Sequence, residues 1–156
     1  MEYQFAYGSN MDSNRLKQKE GIEHILNNAR RARLNNWEFG FTKKGKDGGK
    51  ANIIRNDGRI VWGLLIQLTP KEVEIMDRSE GTGTRIPHYV KESIEVTTDD
   101  GIQHECKVYI ANSHPERFDE RGVHPSKEYL QHILDGAHEH NLPEEYVRLI
   151  QSLGTN

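Results

Sequence analysis

Apolar and polar residues alternate from Tyr3 to Tyr7, and the run ends at Gly8-Ser9-Asn10, three turn formers in a row. A two-residue period buries one face of a strand, so a first strand that stops abruptly is expected here. Asp12 or Ser13 can cap the free amides of Arg15 to Lys17, and Gly21 can close a C-terminal end, which predicts a helix after the loop. From Ala29 to Phe41, apolar Ala32, Leu34, Trp37, Phe39 and Phe41 mostly fall on alternate positions, indicating strands with one buried face. Lys43 to Lys50, rich in Gly and Lys, has no apolar area to bury and reads as a mobile loop or lid.

Ala51 to Arg55 and Arg59 to Leu68 flank Asn56-Asp57-Gly58, which predicts a hairpin because Asn and Gly tolerate positive φ. Thr69-Pro70-Lys71-Glu72 supplies a cap, a proline at the first helical position and a glutamate three residues past the cap. The helix it opens runs through Val73 and Met76 to Glu80 and stops at Gly81. Tyr89 to Val96 and Ile102 to Ile110, joined by Asp99-Asp100-Gly101, form a second predicted hairpin. Ser126 to His140 repeats apolar residues at Tyr129, Leu130, Ile133, Leu134 and Ala137, the spacing of a helix that packs one stripe on a sheet. Leu142-Pro143-Glu144 opens a last helix. With no repeat and no break in composition, the order predicts a single, mostly antiparallel α+β domain over residues 1–156.

Composition narrows the function. The apolar share, 34% of 156 residues, is enough for a core. A net charge of -3 argues against a duplex-binding protein, which draws affinity from many basic groups. Cys106 is the single cysteine, so an intrachain disulfide is excluded and a reducing compartment fits. The start, Met-Glu-Tyr-Gln, has neither a basic nor an apolar stretch, and the longest apolar run, Ile60 to Ile66, is far shorter than a membrane span. A soluble, cytoplasmic protein is expected.

Gly8-Ser9-Asn10 sits between a strand and a helix start, where backbone amides can converge on a carboxylate or phosphate, although a plain tight turn reads equally well. Ser9 lacks the Gly-x-Ser-x-Gly context of an activated nucleophile. Glu80 falls at a helix C-terminus, where the dipole and any burial both disfavour ionisation, so it can serve as a proton shuttle near neutral pH. Taken alone, a glutamate in a last helical turn is more often solvated. The eight His include no i, i+4 pair, and His138 and His140 point about 200° apart on a helix, so no metal site is expected. Gly45 to Ala51 has the wrong spacing for a phosphate loop, Gly81-Thr82-Gly83 follows a helix and not a strand, and Arg30, Arg31 and Arg33 read as a solvated strand face. Cys106 reads as a buried, inert thiol.

Together, Phe5-Ala6-Tyr7-Gly8-Ser9-Asn10-Met11, Val61-Trp62-Gly63, Asp77-Arg78-Ser79-Glu80-Gly81 followed by Tyr89, and Cys106-Lys107-Val108-Tyr109 resemble the γ-glutamylcyclotransferase (AIG2-like) family. The resemblance extends through Pro125-Ser126-Lys127-Glu128-Tyr129 and Gly136 to Tyr146, in order over nearly the whole chain. It implies a small, mostly antiparallel β-barrel-like sheet with surrounding helices, and a cavity where the Tyr-Gly-Ser-Asn loop faces one acidic residue, by position Glu80. It implies an enzyme that acts on γ-glutamyl amides, in which the substrate's own α-amine attacks the γ-carbonyl and releases 5-oxoproline and the amine. No cofactor or metal is implied. The partner is a small-molecule γ-glutamyl substrate, without nucleic acid or membrane, and a homodimer is compatible with the sequence.

On that reading Glu80 is the catalytic residue, and Tyr7, Gly8, Ser9, Asn10, Tyr89 and Tyr129 bind substrate. The loop amides would grip either the substrate α-carboxylate or the developing oxyanion. Two alternatives stand beside it: removal of a γ-glutamyl group that masks an amine in a biosynthetic pathway, such as an antibiotic intermediate, and a small-acid-binding protein without turnover. The segment Gly81 to His88 is longer than is common in the family, and such loops rim the cavity and bear on substrate choice.

Overall fold

The computed structural model describes residues 1–155. Five strands, β1 (Glu2–Ala6), β2 (Arg30–Lys43), β3 (Lys50–Leu68), β4 (Tyr89–Thr98) and β5 (Gln103–Ala111), close into a barrel in the order β1-β3-β2-β4-β5. Every ladder is antiparallel except β1 with β5, which closes the barrel through Gln4 and Lys107. Four helices, α1 (Ser13–Leu16), α2 (Pro70–Ser79), α3 (Lys127–Glu139) and α4 (Glu144–Thr155), surround it. This is the small α+β barrel expected from the resemblance.

The core forms where the alternating apolar positions meet: Phe5, Ile53, Val61, Leu64, Ile66 and Val108 are almost fully buried. Residues two apart share a side of the sheet, so Phe5, Val61 and Leu65 lie on one face and Leu64 and Ile66 on the other, and both faces are covered at this point. The α3 stripe buries Leu130, Ile133 and Ala137, and α4 sets Tyr146 edge-on against Phe39 of β2. Local end signals act as the sequence predicts. Thr69 and Glu72 complete a reciprocal capping box at α2, Ser126 caps α3, and Gly81, at φ 63°, follows the α2 C-cap Glu80.

Three local expectations are corrected. Asn56-Asp57-Gly58 is no hairpin turn: β3 runs through it as one strand, and the alternating stretch up to Phe41 likewise lies in one strand, β2, which begins at Arg30. The register of β2 on β3 passes from Trp37↔Arg55 to Asn35↔Ile60, so these residues form a bulge. Asn36, at φ 68°, accepts the Gly58 amide on its Oδ1 at 3.1 Å. The positive-φ residues serve a kink in a long pair of strands, because β2 is long enough to pair on both sides of it.

The turn joining β2 to β3 is instead the Lys- and Gly-rich segment, and it is pinned, not a free lid. Lys44 N donates to Arg117 O at 2.7 Å and Gly49 N to His124 O at 2.9 Å, and Lys43 is buried. Finally, the helix predicted to reach Gly21 is a single turn, Ser13–Leu16, capped by Asp12. Leu16 is the one large apolar residue between Ser13 and Glu20, so no stripe exists to hold a longer helix on the core, and the chain tightens into i+3 turns.

Candidate active site

At the end of β1 the chain enters a 3-10 turn, Ser9–Met11, in which Met11 N bonds Gly8 O at 3.1 Å. The amides of Gly8, Ser9 and Asn10 have no backbone or side-chain acceptor among the described residues. Helix α3 braces this loop with one face. His132 Nδ1 lies 2.7 Å from Asp12 Oδ2, and the backbone at Gly136 approaches so closely that a Cβ there would sit 2.7 Å from the Met11 carbonyl carbon. Tyr129, one turn earlier on the same face, reaches under the loop and accepts the Ala51 amide at 3.0 Å.

Helix α2 delivers the acid. Glu80 is its C-cap, with its amide on Met76 O at 2.9 Å, and its side chain turns toward the loop, where Asn10 Nδ2 donates to Oε1 at 2.8 Å. Burial raises the Glu80 pKa above the ordinary carboxylate value, while Lys19, the Asn10 hydrogen bond, Arg15 and Lys43 pull the other way. The carboxyl therefore stays easier to protonate than a solvated one despite three cations around it.

All seven residues singled out in the sequence line one cavity: Tyr7, Gly8, Ser9, Asn10, Glu80, Tyr89 and Tyr129. Its three predicted tyrosine hydroxyls are tied to main chain. Tyr7 donates to Tyr109 O at 2.5 Å, Tyr89 donates to Ala51 O at 2.8 Å, and Tyr129 takes the Ala51 amide. Burial raises the pKa of all three, so they stay neutral phenols.

Sequence reasoning missed Tyr109 and Ala51, which also line this cavity, and a second, outer chamber that shares Ser9, Asn10, Glu80, Tyr89 and Tyr129 with it. Arg15, Lys19, Lys43, Lys50 and His88 face the outer chamber. The i, i+4 spacing of Arg15 and Lys19 just after the loop was the one local signal for it; Lys43 and Lys50 meet there only because they end and begin paired strands. Cys106 is buried with its thiol pushed up to about 12, as its strand position predicts. Among the described residues no three His, Cys, Asp or Glu gather as metal ligands would, and no helix is long and apolar enough to cross a membrane.

This geometry has known counterparts. Over 160 residues the chain is 28% identical to the γ-glutamylcyclotransferase of Bos taurus, covering 97% of this chain and 78% of that protein. The Homo sapiens γ-glutamylcyclotransferase gives the same identity over 162 residues. A solved γ-glutamyl cyclotransferase superposes with a TM-score of 0.80 at 26% identity, over 99% of this chain and 89% of that one. YkqA of Bacillus subtilis superposes with a TM-score of 0.83 at 25% identity, over 98% of this chain and 54% of that one. The model of the AIG2-like family matches residues 60–150, a stretch that holds Glu80, Tyr89 and Tyr129 and spans more than half of the sequence, and the chain belongs to that family.

Proposed function

We propose that this protein is a γ-glutamylcyclotransferase that converts a γ-glutamyl amide into 5-oxoproline and a free amine, with Glu80 as its proton shuttle. The observation that carries the reading is the Glu80 carboxyl, held 2.8 Å from Asn10 of the loop and facing the same cavity as the unpaired loop amides. Relatives that bear this name over nearly the whole chain support it.

The reaction needs little beyond geometry and one proton carrier. The amine and the carbonyl carbon belong to one molecule and need only fold into a five-membered ring, so holding that conformer lowers the barrier by several kcal/mol. Glu80 takes a proton from the substrate α-ammonium, and the freed amine attacks the γ-carbonyl carbon. The new C–N bond leaves negative charge on the carbonyl oxygen. As that charge collapses, the old C–N bond breaks and the departing nitrogen takes the first proton back from Glu80; the freed carboxylate then takes the second proton from the positively charged ring nitrogen and passes it to the released amine, which leaves as an ammonium, so the enzyme ends as it began. The amides of Gly8, Ser9 and Asn10 would hold either the oxyanion or the substrate α-carboxylate. Neutral tyrosines orient the groups without adding charge.

Incubation with a panel of γ-glutamyl amides, assayed for 5-oxoproline, tests the activity, and folded protein that releases none from any of them refutes it. Glu80→Gln keeps the side-chain shape but carries no proton, and is expected to abolish release while the fold persists.

A further inference from the structure

The outer chamber carries more positive charge than the reaction requires. Arg15 comes from α1, Lys19 from the turn after it, Lys43 from the end of β2 and Lys50 from the start of β3, and all four line one space. Glu80 is the only acidic side chain on its walls, and none of the four cations forms a salt bridge to Asp or Glu among the described residues. Lys19 is held by neutral oxygens, Asn10 Oδ1 at 3.3 Å and Ser79 Oγ at 3.2 Å. Lys43 meets His88 Nδ1 at 2.9 Å, and Lys50 lies 4.1 Å over the Tyr129 ring. Arg15 Nε is buried without any hydrogen-bond partner. A donor shielded from water and left unpaired is costly, and four like charges gathered around a single acid repel, so the arrangement suits a bound anion.

We propose that this chamber is the subsite for the amine half of the substrate and selects γ-glutamyl amides whose released amine carries two negative charges, that is, an acidic amino acid. This rests on the γ-glutamylcyclotransferase reading. The inner chamber, with the loop amides, takes the glutamyl half, whose ammonium and carboxylate cancel. Glu80 stands on the wall shared by both chambers, so the scissile bond lies beside it and the departing group projects outward among the cations. An ordinary amino acid brings one carboxylate to four cations. A second carboxylate offsets more of the remaining charge, and a diamine adds repulsion. Burial first and then neighbouring positive charge, Arg15 for Lys19 and Lys50 and Arg117 with Lys50 for Lys43, lower the pKa of the three lysines, and Lys43, brought to about 8, remains mostly charged at pH 7.

The test compares kcat/KM of the full chain on γ-glutamyl-glutamate, γ-glutamyl-alanine, γ-glutamyl-ethylamide and γ-glutamyl-putrescine, by 5-oxoproline release at low salt. The acidic substrate is expected to exceed the ethylamide by about tenfold or more, with putrescine lowest, and the spread should shrink in 0.5 M salt. Arg15→Gln and Lys50→Gln should each reduce the glutamate-to-ethylamide ratio by about fivefold or more. Equal kcat/KM for all four substrates overturns the subsite. So does an equal fall on all four in both variants, which would mean that the cations grip the glutamyl half. Calorimetric binding to Glu80→Gln separates the subsite from the chemistry. If no substrate yields 5-oxoproline, the cyclotransferase reading fails. The subsite then stands if γ-glutamyl-glutamate binds about tenfold more tightly than the ethylamide and loses that margin with Lys50→Gln added, and falls if the two bind alike.

Discussion

The inner and outer chambers share a wall yet are built on opposite principles. Inside, the polar side chains are already committed and only the loop amides stay open: three phenols are tied to backbone atoms, and the one ionisable carboxyl is held by an amide side chain. Outside, the groups are charged, long and without acidic partners. Committed neutral groups fix geometry and let burial govern a single pKa, whereas uncommitted charges fix little and respond to what arrives. On the proposed function, the inner chamber serves chemistry and the outer one selection.

Five substitutions break or sharpen that contrast. The largest effect belongs to the inner carboxyl: Glu80→Gln should lower kcat/KM by about a thousandfold, within the span of general acid–base contributions, and turnover near that of the wild type would remove Glu80 from the mechanism. Next is Gly8→Val. A Cβ at Gly8 already lies 3.2 Å from the Ala51 Cβ and 3.8 Å from the Tyr129 hydroxyl, so two further methyls intrude where an anion approaches the backbone. Affinity for a γ-glutamyl analogue should fall about 10- to 100-fold, a loss of roughly 1.4 to 3 kcal/mol; unchanged affinity would separate the loop from the site.

Tyr129→Phe tests whether the inner hydroxyls are committed to structure. It leaves the buried Ala51 amide without its acceptor and should cost about 1–3 kcal/mol of stability in denaturant unfolding. Lys50→Gln on the outer rim should change stability by less than about 0.5 kcal/mol. Equal losses from the two would erase the distinction.

The smallest effect is in pH dependence. Because burial raises the Glu80 pKa, the acid limb of kcat/KM should lie above the ordinary carboxylate value of 4.5, and Lys19→Gln, which removes an opposing positive charge, should move it higher still. A limb that moves down in Lys19→Gln contradicts the stated balance. The stability sign follows from the same shift. The protonated carboxyl favours folding below its unfolded pKa, and that contribution is lost as pH rises through the raised folded value. The Tm of Glu80→Gln relative to wild type should therefore increase with pH over that window.

Elements whose cause is short-range were legible in the sequence. The Thr69-Pro70-Glu72 cap, the Asp99-Asp100-Gly101 turn and the α3 stripe each involve residues within a few positions of one another, and each appears where the pattern puts it. The loop and Glu80 were legible as well, but only from their joint occurrence; singly, each reads as an ordinary turn or a solvated end. Asn56-Asp57-Gly58 misled because positive φ serves a bulge as well as a turn, and only the pairing of β2 decides which. Lys43 misled because a Lys among glycines carries no sign that residues 117–124 will pack over it.

By itself, then, the sequence determined the strand pattern and the caps, since near neighbours along the chain dictate those, and the pairing of the loop with Glu80 was legible only through the resemblance to the family. The convergence of Arg15, Lys19, Lys43 and Lys50, in a protein of net charge -3, was decided by the tertiary structure alone. Closing the barrel brings strand ends and a single helical turn together over a distance that local energetics do not reach, and the charge of a site depends on that meeting and not on the total.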